Sequence, residues 1–185
     1  DTCVGAFVLP FLERLGYDIP PYDFRLPGVT EMSCDVHKYG YATKGASVIL
    51  HRNSEWIGLQ SFLYTSWPSG LYGTPTVAGA RPAGPIAAAW SVMNYLGMDG
   101  YLELMRGLMA TTKKFRDGIE AIPQLRIMGN PIGPLLTFTS DEIDTYAVCD
   151  LMDDRGWNLD RNTNPNGLHM MISPLHEKYV EEFLV

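Results

Sequence analysis

The sequence predicts an α/β protein built as a larger first part, residues 1–122, and a small α+β second part, residues 123–185. Three observations lead there. "ASVILHR" is β-branched and apolar, the pattern of a buried strand, and "EMSCDV" shortly before it reads as a second short strand. Residues 86–122 are helical in pattern, with "AAAW" a strong helix former and Gly97 a natural stop between two helices. Beyond Pro123, "QLRIMG", "GPLLTFTS", residues 141–154, "GLHMMIS" and "PLHEKYVEEFLV" give the order β-β-α-β-α, a compact α+β unit.

The elements follow in chain order. "VGAFVLPFLERL" is an apolar segment entered through a turn, and "GYDIPPYDFRLPGVT" is an ordered loop rich in Pro, Gly and aromatics. "HKYGYATKG" forms the turn between the two short strands, making a hairpin-like unit. Residues 64–85 carry Gly and Pro throughout and cannot form one regular element. The helix from about Asp99 to Ile122 sets Leu102, Met105, Leu108, Met109 and Phe115 at helical spacing, as an amphipathic packing helix does. The chain opens at a charged residue directly before an apolar segment and stops inside an amphipathic helix, so we expect it to be part of a longer polypeptide.

Bulk composition excludes several function classes. Hydrophobic residues make up 46% of the 185 and charged residues 19%, a globular balance rather than a disordered one. The net charge is −7, and no block of Lys or Arg occurs, which argues against a nucleic-acid partner. An anionic ligand must therefore be held by a local arrangement of charge and backbone amides. No run of about 18 apolar residues is present to span a bilayer. Cys3, Cys34 and Cys149 have neither disulfide nor metal spacing, and His37, His51, His169 and His176 are scattered, so no metal site is expected. The sparse, odd cysteine count suits a reducing compartment, and a cytoplasmic location is expected.

The chemistry concentrates in "SCDVHKYGYATKG". A lone lysine on a turn is most often a solvated surface charge. Lys38, however, stands between two strands, beside His37 and two tyrosines. A lysine held in a partly desolvated pocket loses proton affinity and becomes a nucleophile toward carbonyl carbon, and a neighbouring His offers a donor, an acceptor or a flat ring. These residues permit a carbonyl-binding lysine without establishing one. His51, His169, His176, Trp67 and Tyr72 read as packing or structural residues.

The spelling of this stretch resembles S-x-D-x-H-K-(Y/W/F)-G-x-x-x-K-G of the pyridoxal-phosphate enzymes in the group II decarboxylase superfamily, and within it the sphingosine-1-phosphate lyase branch. "DTCVGAFVLPFLERLG", "YDFRLPGVTEMSCDVHKYG" and "WPSGLYGTPTVAGARPAGPIAAAW" are similar to further blocks of that branch, in the same order and at matching spacing. Residues 1–100 carry the resemblance densely and the remainder loosely.

The resemblance implies the C-terminal part of the large domain of a fold-type-I, aspartate-aminotransferase-like enzyme, followed by its small domain. It implies pyridoxal 5'-phosphate as cofactor. Lys38 matches the lysine that bonds to the cofactor aldehyde, and Asp1 the carboxylate that pairs with the pyridine nitrogen. Cys3 would lie near the ring and His37 near the phosphate, while Lys44 matches a second lysine tied to proton transfer or phosphate binding. Gly79 and Ala80 match a loop that reaches the cofactor phosphate of the other subunit. Ala80 replaces the family's Ser, removing a hydroxyl contact while keeping the amide.

The segments preceding Asp1 in the family carry the rest of the cofactor pocket. The resemblance therefore implies a second subunit or a co-purifying chain fragment completing the site, and a membrane anchor can lie outside this chain. The implied reaction is retro-aldol cleavage of a phosphorylated 2-amino-3-hydroxy amine to an aldehyde and phosphoethanolamine. An amino-acid α-decarboxylase and a non-catalytic assembly subunit are the alternatives.

Overall fold

The computed structural model describes residues 1–185, which separate into two compact units, residues 1–100 and 101–185. In the first unit a 3-10 turn at Gly5–Phe7 runs into helix α1, Leu9–Arg14. Pro10 lies in its first turn, where a missing N–H leaves no helical bond unmade. After the Pro-rich loop, β1 (Glu31–Cys34) pairs antiparallel with β2 (Val48–His51), in register from Glu31↔His51 to Cys34↔Val48. Helix α2 (Glu55–Gln60) and a second antiparallel pair, β3 (Phe62–Tyr64) with β4 (Tyr72–Thr74), complete this stretch. The stretch expected to lack any single regular element thus holds the end of β3, the three-residue strand β4 and the start of the helix from Ala83.

The turn between β1 and β2 positions the site. Backbone bonds Lys38 N–H to Asp35 O (3.1 Å), Tyr41 N–H to Lys38 O (3.0 Å) and Ala42 N–H to Val36 O (3.1 Å) wind residues 35–42 tightly. A Cβ at Gly40 would lie 2.4 Å from the Val36 carbonyl oxygen, so only glycine permits this approach. The turn is anchored underneath by an apolar cluster of Val36, Ala42, Ala46 and Ala89, against which Phe7 and Met93 pack.

One sequence expectation fails here. β2 reads as a buried strand, yet Val48, Ile49 and Leu50 are 40%, 50% and 44% exposed. β1 is its only strand partner, and a two-stranded sheet leaves most of an apolar strand open unless something further packs on it.

Ala89 and Met93 belong to helix α3, Ala83–Glu120, which Gly97 interrupts with φ 56° and ψ −169°. That left-handed φ costs glycine little, and it separates the two helices as expected. From Tyr101 onward α3 lies in the second unit. There Tyr101, Met105, Leu108, Thr112, Phe115 and Ile119 are buried at steps of four and three, one apolar stripe along the helix. The hydroxyl of Thr112 is satisfied by the Leu108 carbonyl at 2.8 Å.

The second unit also contains a four-stranded antiparallel sheet, ordered β5 (Arg126–Ile127), β6 (Leu135–Thr139), β8 (Gly167–Met171), β7 (Asp160–Asn162). Helix α4, Thr145–Asp154, starts later than the pattern suggests, because Asp144 caps it by accepting the Tyr146 N–H at 2.9 Å. The C-terminal helix is a 3-10 segment, Pro174–Tyr179, followed by one α turn, α5, Val180–Phe183. β7 was not foreseen: "DRN" has no apolar residue to betray an edge strand.

Phe115 is fully buried, and its ring meets that of Phe183 edge-on at 5.1 Å between centroids. Phe115→Ala is therefore expected to lower stability by about 3–5 kcal/mol, measured by urea unfolding followed by circular dichroism. Gly40→Ala, which forces a methyl against a backbone oxygen, is expected to cost about 1–3 kcal/mol in the same measurement. Gly28→Ala, with open space around the added methyl, serves as its control.

Candidate active site

The first three residues are held along β1. Thr2 N–H donates to Ser33 Oγ at 3.1 Å, the Thr2 hydroxyl donates to Ser33 O at 2.5 Å, and Asp35 N–H donates to Cys3 O at 3.2 Å. This docking fixes Asp1, although the residue is exposed. Its carboxylate accepts the Cys3 N–H at 2.8 Å and the Ser33 hydroxyl.

Cys3 connects Asp1 to the lysine. The Lys38 ammonium lies 3.0 Å from Cys3 Sγ and 2.9 Å from Asp35 Oδ2. Asp35 Oδ1 accepts the Ser47 hydroxyl at 2.6 Å, and His37 Nε2 stands 3.8 Å from Oδ2. The other ring nitrogen of His37 faces the Ala46 carbonyl at 3.1 Å. A carbonyl only accepts, so Nδ1 carries the hydrogen there and the ring orientation is set.

The electrostatics reverse one expectation. Partial burial of Lys38 would lower its proton affinity, but the contact with Cys3 and then that with Asp35 hold it above the ordinary lysine range. The side chain is 29% exposed, too open for desolvation to outweigh two partners at hydrogen-bond distance. The Ser47 hydroxyl, followed by Lys38, holds the Asp35 carboxyl below its ordinary value. Burial pushes the Tyr39 phenol and the Cys34 thiol up.

The loop of small residues lies further along the first unit. Gly79 takes a left-handed φ of 67°, and its N–H donates to Thr76 O at 3.1 Å. Ala80 is exposed, and the Arg81 guanidinium donates to Thr76 Oγ1 at 2.6 Å. Arg81 shares a cleft of about 620 Å³ with His37, Gly45, Ala46, Ser47 and Trp90. Lys44 stands exposed on the turn.

The structure thus brings Asp1, Cys3 and Lys38 into one bonded series and joins His37 to it through Asp35. Gly79 and Ala80 adjoin the residue that shares the His37 cleft, and Lys44 lies outside these contacts. Asp35 and Ser47 were not singled out from the sequence as site residues. The signal for Asp35 was the D of S-x-D-x-H-K, three residues before the lysine in a tight turn.

No protein-family model matches the chain. The sphingosine-1-phosphate lyase of Oryza sativa is 47% identical over 184 residues, covering 100% of this chain and 34% of that protein. The solved sphingosine-1-phosphate lyase of Burkholderia pseudomallei superposes with a TM-score of 0.94 at 42% identity, over 100% of this chain and 42% of that one. A glutamate decarboxylase of Lactobacillus brevis shares the fold, with a TM-score of 0.79 at 18% identity over 98% of this chain and 43% of its own. The chain spans about a third of the length of the curated relatives it matches. With its whole length similar to these enzymes, the chain has the fold-type-I architecture and belongs to the sphingosine-1-phosphate lyase branch of the pyridoxal-phosphate-dependent group II decarboxylase superfamily.

Proposed function

We propose that this chain is the lysine-bearing part of a carbon–carbon lyase acting on phosphorylated 2-amino-3-hydroxy amines of the sphingoid type, with an aldehyde and phosphoethanolamine as products. The observation that carries this reading is an amine and a carboxylate, Lys38 and Asp1, each bonded to Cys3 in a chain similar throughout to such lyases.

The donor set fits pyridoxal 5'-phosphate. Lys38 is a primary amine suited to an aldehyde, and Asp1 is a carboxylate suited to a protonated ring nitrogen. Small residues at Gly79 and Ala80, beside Arg81, suit a phosphate. When bound, this group supplies an electron sink next to the substrate's α-carbon.

The chain's own residues then divide the work. Lys38, the primary amine of the site, would hold the group through Nζ. Asp1, oriented by the Cys3 N–H and the Ser33 hydroxyl, would keep a proton on the ring nitrogen, because a carboxylate favours a neighbouring cation. Cys3 would lie beside the ring, and His37, its orientation set by the Ala46 carbonyl, would lie near the phosphate. The Ala80 amide contributes to phosphate binding with the Gly79 backbone, and Lys44 serves phosphate binding or proton transfer from the rim. Lys38 carries a proton beside Asp35 and is suited to return one to the α-carbon after the Cα–Cβ bond breaks.

The remaining wall of the pocket comes from a second subunit of a homodimer or from a further segment of the lyase. The exposed apolar face of Val48, Ile49 and Leu50, with Phe62 and Tyr72 exposed on the β3–β4 pair, supports such a cover. The family's large domain extends to residue 122 and its small domain takes 123–185. The cysteines are free, which suits the cytoplasm, and no helix is long and apolar enough to cross a membrane.

The test is incubation of the full-length enzyme with a phosphorylated sphingoid base, with products followed by mass spectrometry. Aldehyde and phosphoethanolamine are expected, and Lys38→Ala is expected to remove both activity and the absorbance band of bound cofactor. Release of carbon dioxide from an amino acid, with no aldehyde from the sphingoid base, would overturn the lyase reading in favour of a decarboxylase. Borohydride reduction that leaves no cofactor on the Lys38 peptide would point instead to a non-catalytic subunit.

A further inference from the structure

Asp35 is tied at every polar group it has. Its N–H donates to Cys3 O at 3.2 Å, and its C=O accepts the Lys38 N–H at 3.1 Å. One carboxylate oxygen accepts the Ser47 hydroxyl at 2.6 Å, and the other meets the Lys38 ammonium at 2.9 Å. The carboxylate is thus held from the β2 side while it faces the lysine, and it cannot rotate away without breaking the Ser47 bond. The pair is mostly covered, with side-chain exposures of 29% for Lys38 and 18% for Asp35.

We infer that Asp35 is the positioning residue of the reactive lysine, receiving and orienting the Lys38 ammonium whenever that amine is not covalently engaged. The inference rests on the reading of Lys38 as the cofactor lysine. Attack on an aldehyde requires the neutral amine, and a carboxylate at hydrogen-bond distance favours the charged one. Asp35 therefore restrains the idle lysine and keeps the displaced lysine as a proton donor aimed toward Cys3 and the Asp1 end of the site. The other titratable groups facing the pair are Cys3 on the N-terminal segment, His37 on the turn at 3.8 Å, and Cys34 at the end of β1. Asp1 follows one bond further, on the Cys3 N–H. None of these replaces Asp35, because no other carboxylate touches the ammonium among the contacts of the turn.

The inference is tested on the full-length enzyme freed of cofactor. Competitive acetylation with acetic anhydride across a pH series, read by peptide mass spectrometry, reports the protonation of Lys38 directly. Asp35→Asn keeps the shape and removes the charge. The Lys38 midpoint is expected to move to lower pH, with labelling near neutrality rising several-fold. Lys44, exposed and outside the cluster, is expected to keep its profile in the same molecules. Ser47→Ala leaves the charge but frees the carboxylate, and should move the Lys38 midpoint in the same direction by less. Should Asp35→Asn fail to fold, Ser47→Ala carries the readout alone. An unmoved Lys38 midpoint in the folded variants overturns the inference. Borohydride trapping on the wild type separates the two readings, since its failure removes the cofactor role of Lys38 and leaves the labelling result intact.

Discussion

Asp35 stands where the N-terminal segment, the end of β1, the lysine turn and the approach to β2 meet, and its bonds join all four. Its worth lies less in stability than in where it holds the amine. A lysine side chain has four rotatable bonds, and a site needs its amine within a fraction of an ångström of one place. Anchoring the carboxylate through Ser47 converts a flexible ammonium into a directed one. The cost is that the amine becomes harder to deprotonate.

That arrangement is supported by packing that is not itself chemical. Gly40 lets the turn close on the Val36 carbonyl, and Val36, Ala42 and Ala46 then settle on Ala89 of α3. The small side chains bring helix and turn close together, which places His37 and Ser47 on one cleft with Arg81 and Trp90. With a net charge of −7 the chain as a whole repels anions. Any phosphate must therefore be drawn by this local group of cation, imidazole and amides rather than by the overall field.

The two units differ in how fully they close. The second buries Phe115, Leu136, Leu168 and Ile172 almost completely between helix and sheet, and reads as a finished α+β core. The first leaves the apolar residues of β2 and the β3–β4 pair open. Strand character in "ASVILHR" was legible because a run of β-branched and apolar residues is a local signal. Its burial was not, because a strand's cover comes from neighbours distant in sequence or outside the chain. β7 escaped for the opposite reason: its pairing with β8 depends on backbone bonds, while its residues are polar.

The lysine, its turn and the family are legible in local spelling, since motif order, glycine placement and helical periodicity all act over a few residues. His37 stood out as the imidazole beside that lysine, whereas Asp1 and Cys3 were singled out only through resemblance. Tertiary structure decided which of these touch. The separations of 35 positions from Cys3 to Lys38, and of 12 from Asp35 to Ser47, are closed by strand docking and turn geometry that no local pattern encodes. It decided the charge state as well: burial alone argues for a neutral lysine, and two partners at 2.9 and 3.0 Å hold the proton on. Proton affinity is set by what stands within a few ångströms in space, and sequence distance carries no record of that.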